Sequence, residues 1–219
     1  MVTTPFPLTA AQTAAAVRDE RLRLVDRLAT LGPEQWGAPS LCAAWTVRDV
    51  LAHLTTTTRL TVPLLVREAV RARGSFDRME INLAAERAGR HGTTELLEHL
   101  HESARSTRRF PGSSPLDPLM DLVVHAQDVA RPLRLAWSPP AHVVTACLAH
   151  VVGNRFMGAP RRVRGLHLAS TDSSWSHGSG AEVRGPDLDL LLAVSGRPEG
   201  LRALDGPGVP ALRERLRVG

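Results

Sequence analysis

The chain has 219 residues, 43% hydrophobic and 22% charged, which argues against a disordered chain and allows one large domain or a domain with a small partner. Its net charge is +5, and all 27 basic residues are Arg; they mostly alternate with acids instead of forming a continuous basic face with interleaved aromatics, which argues against a nucleic-acid partner. Two cysteines, Cys42 and Cys147, suggest no disulfide framework, and with no signal-peptide pattern or apolar run of spanning length the expectation is a cytoplasmic protein with no membrane partner.

Taken in order, residues 9–31 read as a helix, with Val17, Leu22, Val25, Leu28 and Leu31 near helical spacing and Gly32-Pro33 as the stop. A loop rich in Pro, Gly, Ser and Trp fills 33–45. "TVRD" at Thr46–Asp49 is a capping box that opens a second helix, expected to run to about Arg73 with a kink at Pro63. Helices follow over about 76–89, 93–109 and 116–131. Pro139-Pro140 breaks the chain before a last long helix reaching about Met157. The texture then changes. Residues 163–170 alternate like a strand, and a hairpin is expected around His177 to Gly180. Pro186 and Gly196 bracket a helix, and Gly208–Leu216 form a short final one. The fold class is therefore mainly α with a small α/β part: a helical bundle over 1–158 and a small C-terminal α/β domain over 159–219.

"DLVVHAQD" interrupts an apolar helix with three polar groups, Asp121, His125 and Asp128, at i, i+4 and i+7. A helix turns about 100° per residue, so the three form one stripe at the edge of the buried face. An acid and a His one turn apart can grip one metal ion, with a third ligand from a facing helix. His53 is the candidate, because it lies within the apolar arc of Val47, Val50 and Leu54. The competing reading is structural: His53 as a core histidine bonded to a backbone carbonyl, and the stripe as an Asp–His pair on a half-exposed helix edge. A hydrolase triad from Asp172, Ser176 and His177 lacks a strand-to-helix elbow. His99 and His101, two apart, point to different sides of their helix.

"LCAAWTVRDVLAHL", "DLVVHAQDVARPL" and "GLHLASTDSSWSHGSGAEVRGPDLDLLLAVSGRP", in this order, resemble the mycothiol-dependent maleylpyruvate isomerase family of actinobacteria. The resemblance implies a DinB-like four-helix bundle followed by the small C-terminal domain. It also implies a divalent metal, zinc first among the options, held by His53, Asp121 and His125; the acid is a Glu in the family's best-known member and is one methylene shorter here. Asp128 is implied as an acid/base or supporting group at the catalytic site. The implied cosubstrate is the low-molecular-weight thiol mycothiol, acting on a small-molecule substrate in cis–trans isomerisation or S-transfer. Arg87 and Arg131 are the candidate contacts for cofactor or substrate carboxylates. A non-catalytic metal- or ligand-binding module on the same bundle is the alternative. Substrate, metal identity and oligomeric state are not fixed by the sequence.

Overall fold

A computed structural model describes residues 8–43 and 45–217. The described residues divide into two compact units, one within residues 10–137 and the other formed by residues 8–9 together with residues 138–217.

The first unit is a helical bundle. Helix α1 (Ala10–Leu28) buries Thr13, Val17, Glu20, Arg21, Leu24 and Leu28, a stripe spaced three and four apart. A single turn, α2 (Pro33–Trp36), sits inside the expected loop; Pro at its start and the Gln35 side chain accepting from the Gly32 amide stabilise it. Helix α3 (Val47–Thr56) opens with the expected capping box, Thr46 accepting from the Asp49 amide and Asp49 accepting from that of Thr46.

The expected kinked helix over 46–73 is two helices. α3 ends where Thr55 and Thr56 turn their hydroxyls back onto the Ala52 carbonyl. Thr61 then caps a fresh helix, α4 (Val62–Arg71), and Pro63 sits in its first turn, where its missing N–H costs nothing. α5 (Phe76–Arg90) starts on the Ser75 cap. α6 (Thr93–Glu102) tightens into a 3-10 turn at Ser103–Arg105, several residues before the expected end. α7 (Asp117–Ala130) is deeply set, with every residue from Leu119 to Ala130 buried except Asp121.

α3 packs against α5, α6 and α7, while α1 packs against α6 and α7. Their shared core holds Leu24, Leu28, Leu51, Leu96, Leu100 and Leu119, each at most 2% exposed. Burying one such side chain stabilises by about 1.5–3 kcal/mol. This packing faces α3 toward α7 and sets the polar groups of both helices within reach of one another.

The second unit contains α8 (Ala141–Val151), the short α9 (Ala159–Arg162), strands β1 (Leu166–Ser170), β2 (Ser176–Gly178) and β3 (Ala181–Gly185), α10 (Asp187–Val194), a 3-10 segment Pro198–Ala203 and α11 (Val209–Arg217). The boundary falls at 137–138, where the sequence led us to expect 158–159. The reason is α8, which stops at Val151 and packs on α10. The α10 residues Leu190 to Val194 are fully buried. The buried Asp187 carboxylate ties α8 into the same unit, accepting from the Thr145 hydroxyl at 2.6 Å and from Ser173 at 3.2 Å.

The expected hairpin at 177–180 is also absent. The strand order is β2-β1-β3, with β1 antiparallel to β2 and parallel to β3, so β2 and β3 lie on opposite sides of β1. The connecting Gly178-Ser179-Gly180 crosses tightly over the start of β1. A Cβ at Gly178 or Gly180 would strike the carbonyl of Leu166 or Gly165, and both glycines have positive φ, +77° and +126°. We expect Gly180→Ala to destabilise the protein by at least about 1–3 kcal/mol, the strain of a side chain in that backbone region, measured by urea unfolding. An unchanged midpoint would show that the crossing relaxes freely.

Candidate metal centre

The capping box fixes where α3 begins, and seven residues later that register places His53 on its buried face, 5% exposed. α7 delivers Asp121, His125 and Asp128 along one edge. His53 Nε2 stands 3.4 Å from Asp121 Oδ1, and His125 Nε2 stands 3.3 Å from the same oxygen. The three donor atoms lie within 4.8 Å of one another. For tetrahedral zinc with bonds of about 2.0–2.1 Å, donors are separated by about 3.3 Å along each edge. The two measured edges match that spacing, so the residues present fit a small divalent metal.

The other face of each imidazole is also occupied. His125 Nδ1 lies 2.8 Å from Asp128 Oδ2, and His53 Nδ1 lies 3.4 Å from Glu80 Oε2 on α5. A carboxylate only accepts, so with a metal on Nε2 the one remaining proton of each ring would sit on Nδ1, where an acceptor already stands. Asp128 is fully buried and also accepts from the Cys42 thiol at 3.1 Å. Trp45 packs over both rings, 5.0 Å from His53 and 5.8 Å from His125 between centroids.

The electrostatics are those of a tight acid–imidazole cluster. Burial alone would raise the Asp121 carboxyl, but His53 and then His125 outweigh it and hold it far below the usual carboxylate range. Burial would likewise lower His125; Asp121, Asp128 and Cys42 together raise it well above the ordinary imidazole value. Glu80 is pushed up, by burial first, with His53 opposing. Burial lowers Arg21 on α1, and the Asp121 charge opposes that shift. The Arg21 guanidinium donates to the carbonyls of Ser103 and Ser106.

The structure thus brings together four residues expected from the sequence, His53, Asp121, His125 and Asp128. Arg87 donates to the Thr55 hydroxyl at 2.6 Å and to His99 Nδ1 at 2.8 Å, and Arg131 donates to Gln127 at 3.2 Å. Four neighbours were not foreseen as members: Glu80, Cys42, Trp45 and Arg21. Trp45 had a signal, since it directly precedes the Thr46 cap of the helix that carries His53. Glu80 had none, because nothing in "FDRMEINLAAERAGR" distinguishes it from the surface acids of α5.

A second group, His91, Glu95 and His99, also clusters at the bundle surface. Arg87 occupies the Nδ1 lone pair of His99 there, which leaves its ring proton on Nε2 and opposes ligation through that atom. Asp172 accepts from the Ser170 hydroxyl and the Asp187 amide, which binds it into the turn after β1 rather than to His177.

Fold and site together define a helical-bundle protein with a buried histidine–carboxylate centre, joined to a small α/β unit. The Mycothiol maleylpyruvate isomerase N-terminal domain model matches residues 17–118 and the MDMPI C-terminal domain model matches residues 138–215. The chain belongs to the mycothiol-dependent maleylpyruvate isomerase family. Its fold is similar to the crystal structure of the mycothiol-dependent maleylpyruvate isomerase, at 15% identity and a TM-score of 0.61, and to that of a histidine-to-alanine mutant, at 14% and 0.63. Each likeness covers 91% of this chain and 93% of the other. No curated protein matches the chain by sequence. Among the described residues, no helix is long and apolar enough to cross a membrane.

Proposed function

We propose that this chain is a metal-dependent, mycothiol-using enzyme that isomerises a small unsaturated acid or transfers the thiol to an electrophile. The supporting observation is the convergence of His53 Nε2, His125 Nε2 and Asp121 Oδ1, with both Nδ1 atoms turned toward carboxylates. A bound divalent metal, zinc by preference, would keep a thiol deprotonated at neutral pH, supplying a nucleophile for reversible addition to an activated cis alkene or for lasting transfer.

The chain's own residues do the rest. With a metal bound, His53 and His125 would supply neutral nitrogen donors and Asp121 the single negative one. Three protein donors leave room for a fourth from outside, the pattern of a reactive rather than a structural centre. Asp128 has no open surface and its carboxylate faces His125 Nδ1 and the Cys42 thiol, so its part in turnover is to hold the His125 ring. Trp45 shields one side of both imidazoles from water. Arg87 and Arg131 enter this reading as guanidinium groups for carboxylates of the cosubstrate or substrate; Arg87 would exchange its bonds to Thr55 and His99 to do so.

The test is metal analysis of untagged protein followed by thermal unfolding with mycothiol. One metal per chain is expected. A saturating thiol should stabilise the metal-loaded protein by about 2.7 kcal/mol at a hundredfold excess over Kd, and should leave chelator-treated protein unchanged. Metal without any thiol response would favour the non-catalytic module.

A further inference from the structure

We propose that Glu80 is a positioning residue of the metal centre, acting on His53 as Asp128 acts on His125. The proposal rests on the metal-binding reading of His53, Asp121 and His125. Glu80 comes from α5, a helix that supplies none of the three donors but packs directly on α3. Its Oε2 stands 3.4 Å from His53 Nδ1, while the opposite nitrogen of that ring stands 3.4 Å from Asp121. His125 shows the same arrangement, with Asp128 on Nδ1 and Asp121 on Nε2. Each imidazole is therefore held between a shared carboxylate and a private one.

A neutral imidazole carries one proton. Only with that proton on Nδ1 does Nε2 keep the lone pair a metal requires, and an acceptor at Nδ1 fixes both the tautomer and the ring orientation. Glu80 is otherwise poorly explained. Its side chain is 26% exposed, and among the described residues His53 is its only ion-pair partner. Glu86, six residues further along α5, is paired with Arg67, Arg71 and Arg90 instead. A partly buried carboxylate with no arginine is costly to keep unless it meets a donor, and the donor here is His53.

The experiment uses the full chain and titrates it with Co2+ and Zn2+ against a competing chelator, recording the visible bands of bound Co2+ as a report on the donor set. Glu80→Ala should weaken metal binding by roughly 10- to 100-fold, with stoichiometry and the Co2+ bands at saturation unchanged. Glu80→Gln keeps an oxygen that accepts from Nδ1–H, so it should recover most of that loss. Glu86→Ala should leave affinity as in the parent. Parent-like affinity in Glu80→Ala would overturn the proposal, even if that variant melts earlier. A changed Co2+ spectrum at saturation would also overturn it, by making Glu80 a direct ligand. Should the parent protein itself bind neither ion, the metal-binding reading fails first and this inference with it, a result distinct from a parent that binds beside a variant that is unaffected.

Discussion

His53→Ala and His125→Ala should each leave a folded protein that retains no metal through purification and no thiol-dependent turnover. Either change removes one of only two nitrogen donors, so the loss in metal affinity should exceed the roughly 10- to 100-fold typical of a supporting residue. Both rings are nearly enclosed, 5% and 8% exposed, so solvent does not readily replace the missing donor in place. Asp121→Ala should also lose metal, whereas Asp121→Glu should keep one ion per chain, since Asp121 is the donor with the most open surface, 35% of its side chain, and has room for a methylene. Metal content by mass spectrometry and affinity by chelator competition check these outcomes. If Asp121→Ala kept full stoichiometry, the acid of the site would have to be sought elsewhere, with Glu80 the first candidate.

The members of this centre differ in how far they could be read from the amino-acid order. Asp121, His125 and Asp128 share one helix, so the 100° advance per residue is enough to align them. His53 was legible because a polar ring inside the arc of Val47, Val50 and Leu54 needs a reason to be there. Glu80 and Cys42 reach the centre only through tertiary packing, which no local period encodes. The same limit explains the misreadings of the fold. The span 46–73 has continuous helical character, and what divides it is a chain of threonine hydroxyls competing for backbone partners, a local contest that apolar periodicity does not register. In the second unit the strand segments and Gly178-Ser179-Gly180 read as a hairpin, because a tight glycine turn is compatible with one. The register of β1 against both neighbours is a long-range choice, made by burying Leu166, Leu168 and Val183 under α10. Proximity in sequence places α8 with the bundle, while its apolar face and Thr145 belong with α10 and Asp187.

Asp128→Ala is expected to carry the next largest effect, and it separates two roles that the geometry combines. The carboxylate is fully buried and accepts from both His125 Nδ1 and the Cys42 thiol. The Asp128 carbonyl also accepts from the Leu41 amide, which fastens the loop before α3 to α7. Truncation takes the carboxylate acceptor from the buried His125 Nδ1, at about 1–3 kcal/mol for a buried polar group left unpaired, removes one partner of the half-buried Cys42 thiol, and frees the His125 ring, at roughly 10- to 100-fold in metal affinity. Asp128→Asn keeps the shape and one accepting oxygen, so its affinity should fall between parent and Ala while turnover declines. Cys42→Ala removes only the second donor, and should leave metal affinity close to the parent value. Urea unfolding of chelator-treated protein reads the stability effect, and chelator competition reads the affinity effect, independently of each other. A variant destabilised without metal yet parent-like in affinity would reduce Asp128 to a loop anchor, since an acceptor that orients His125 cannot be removed without cost to the bond that His125 makes on its other face.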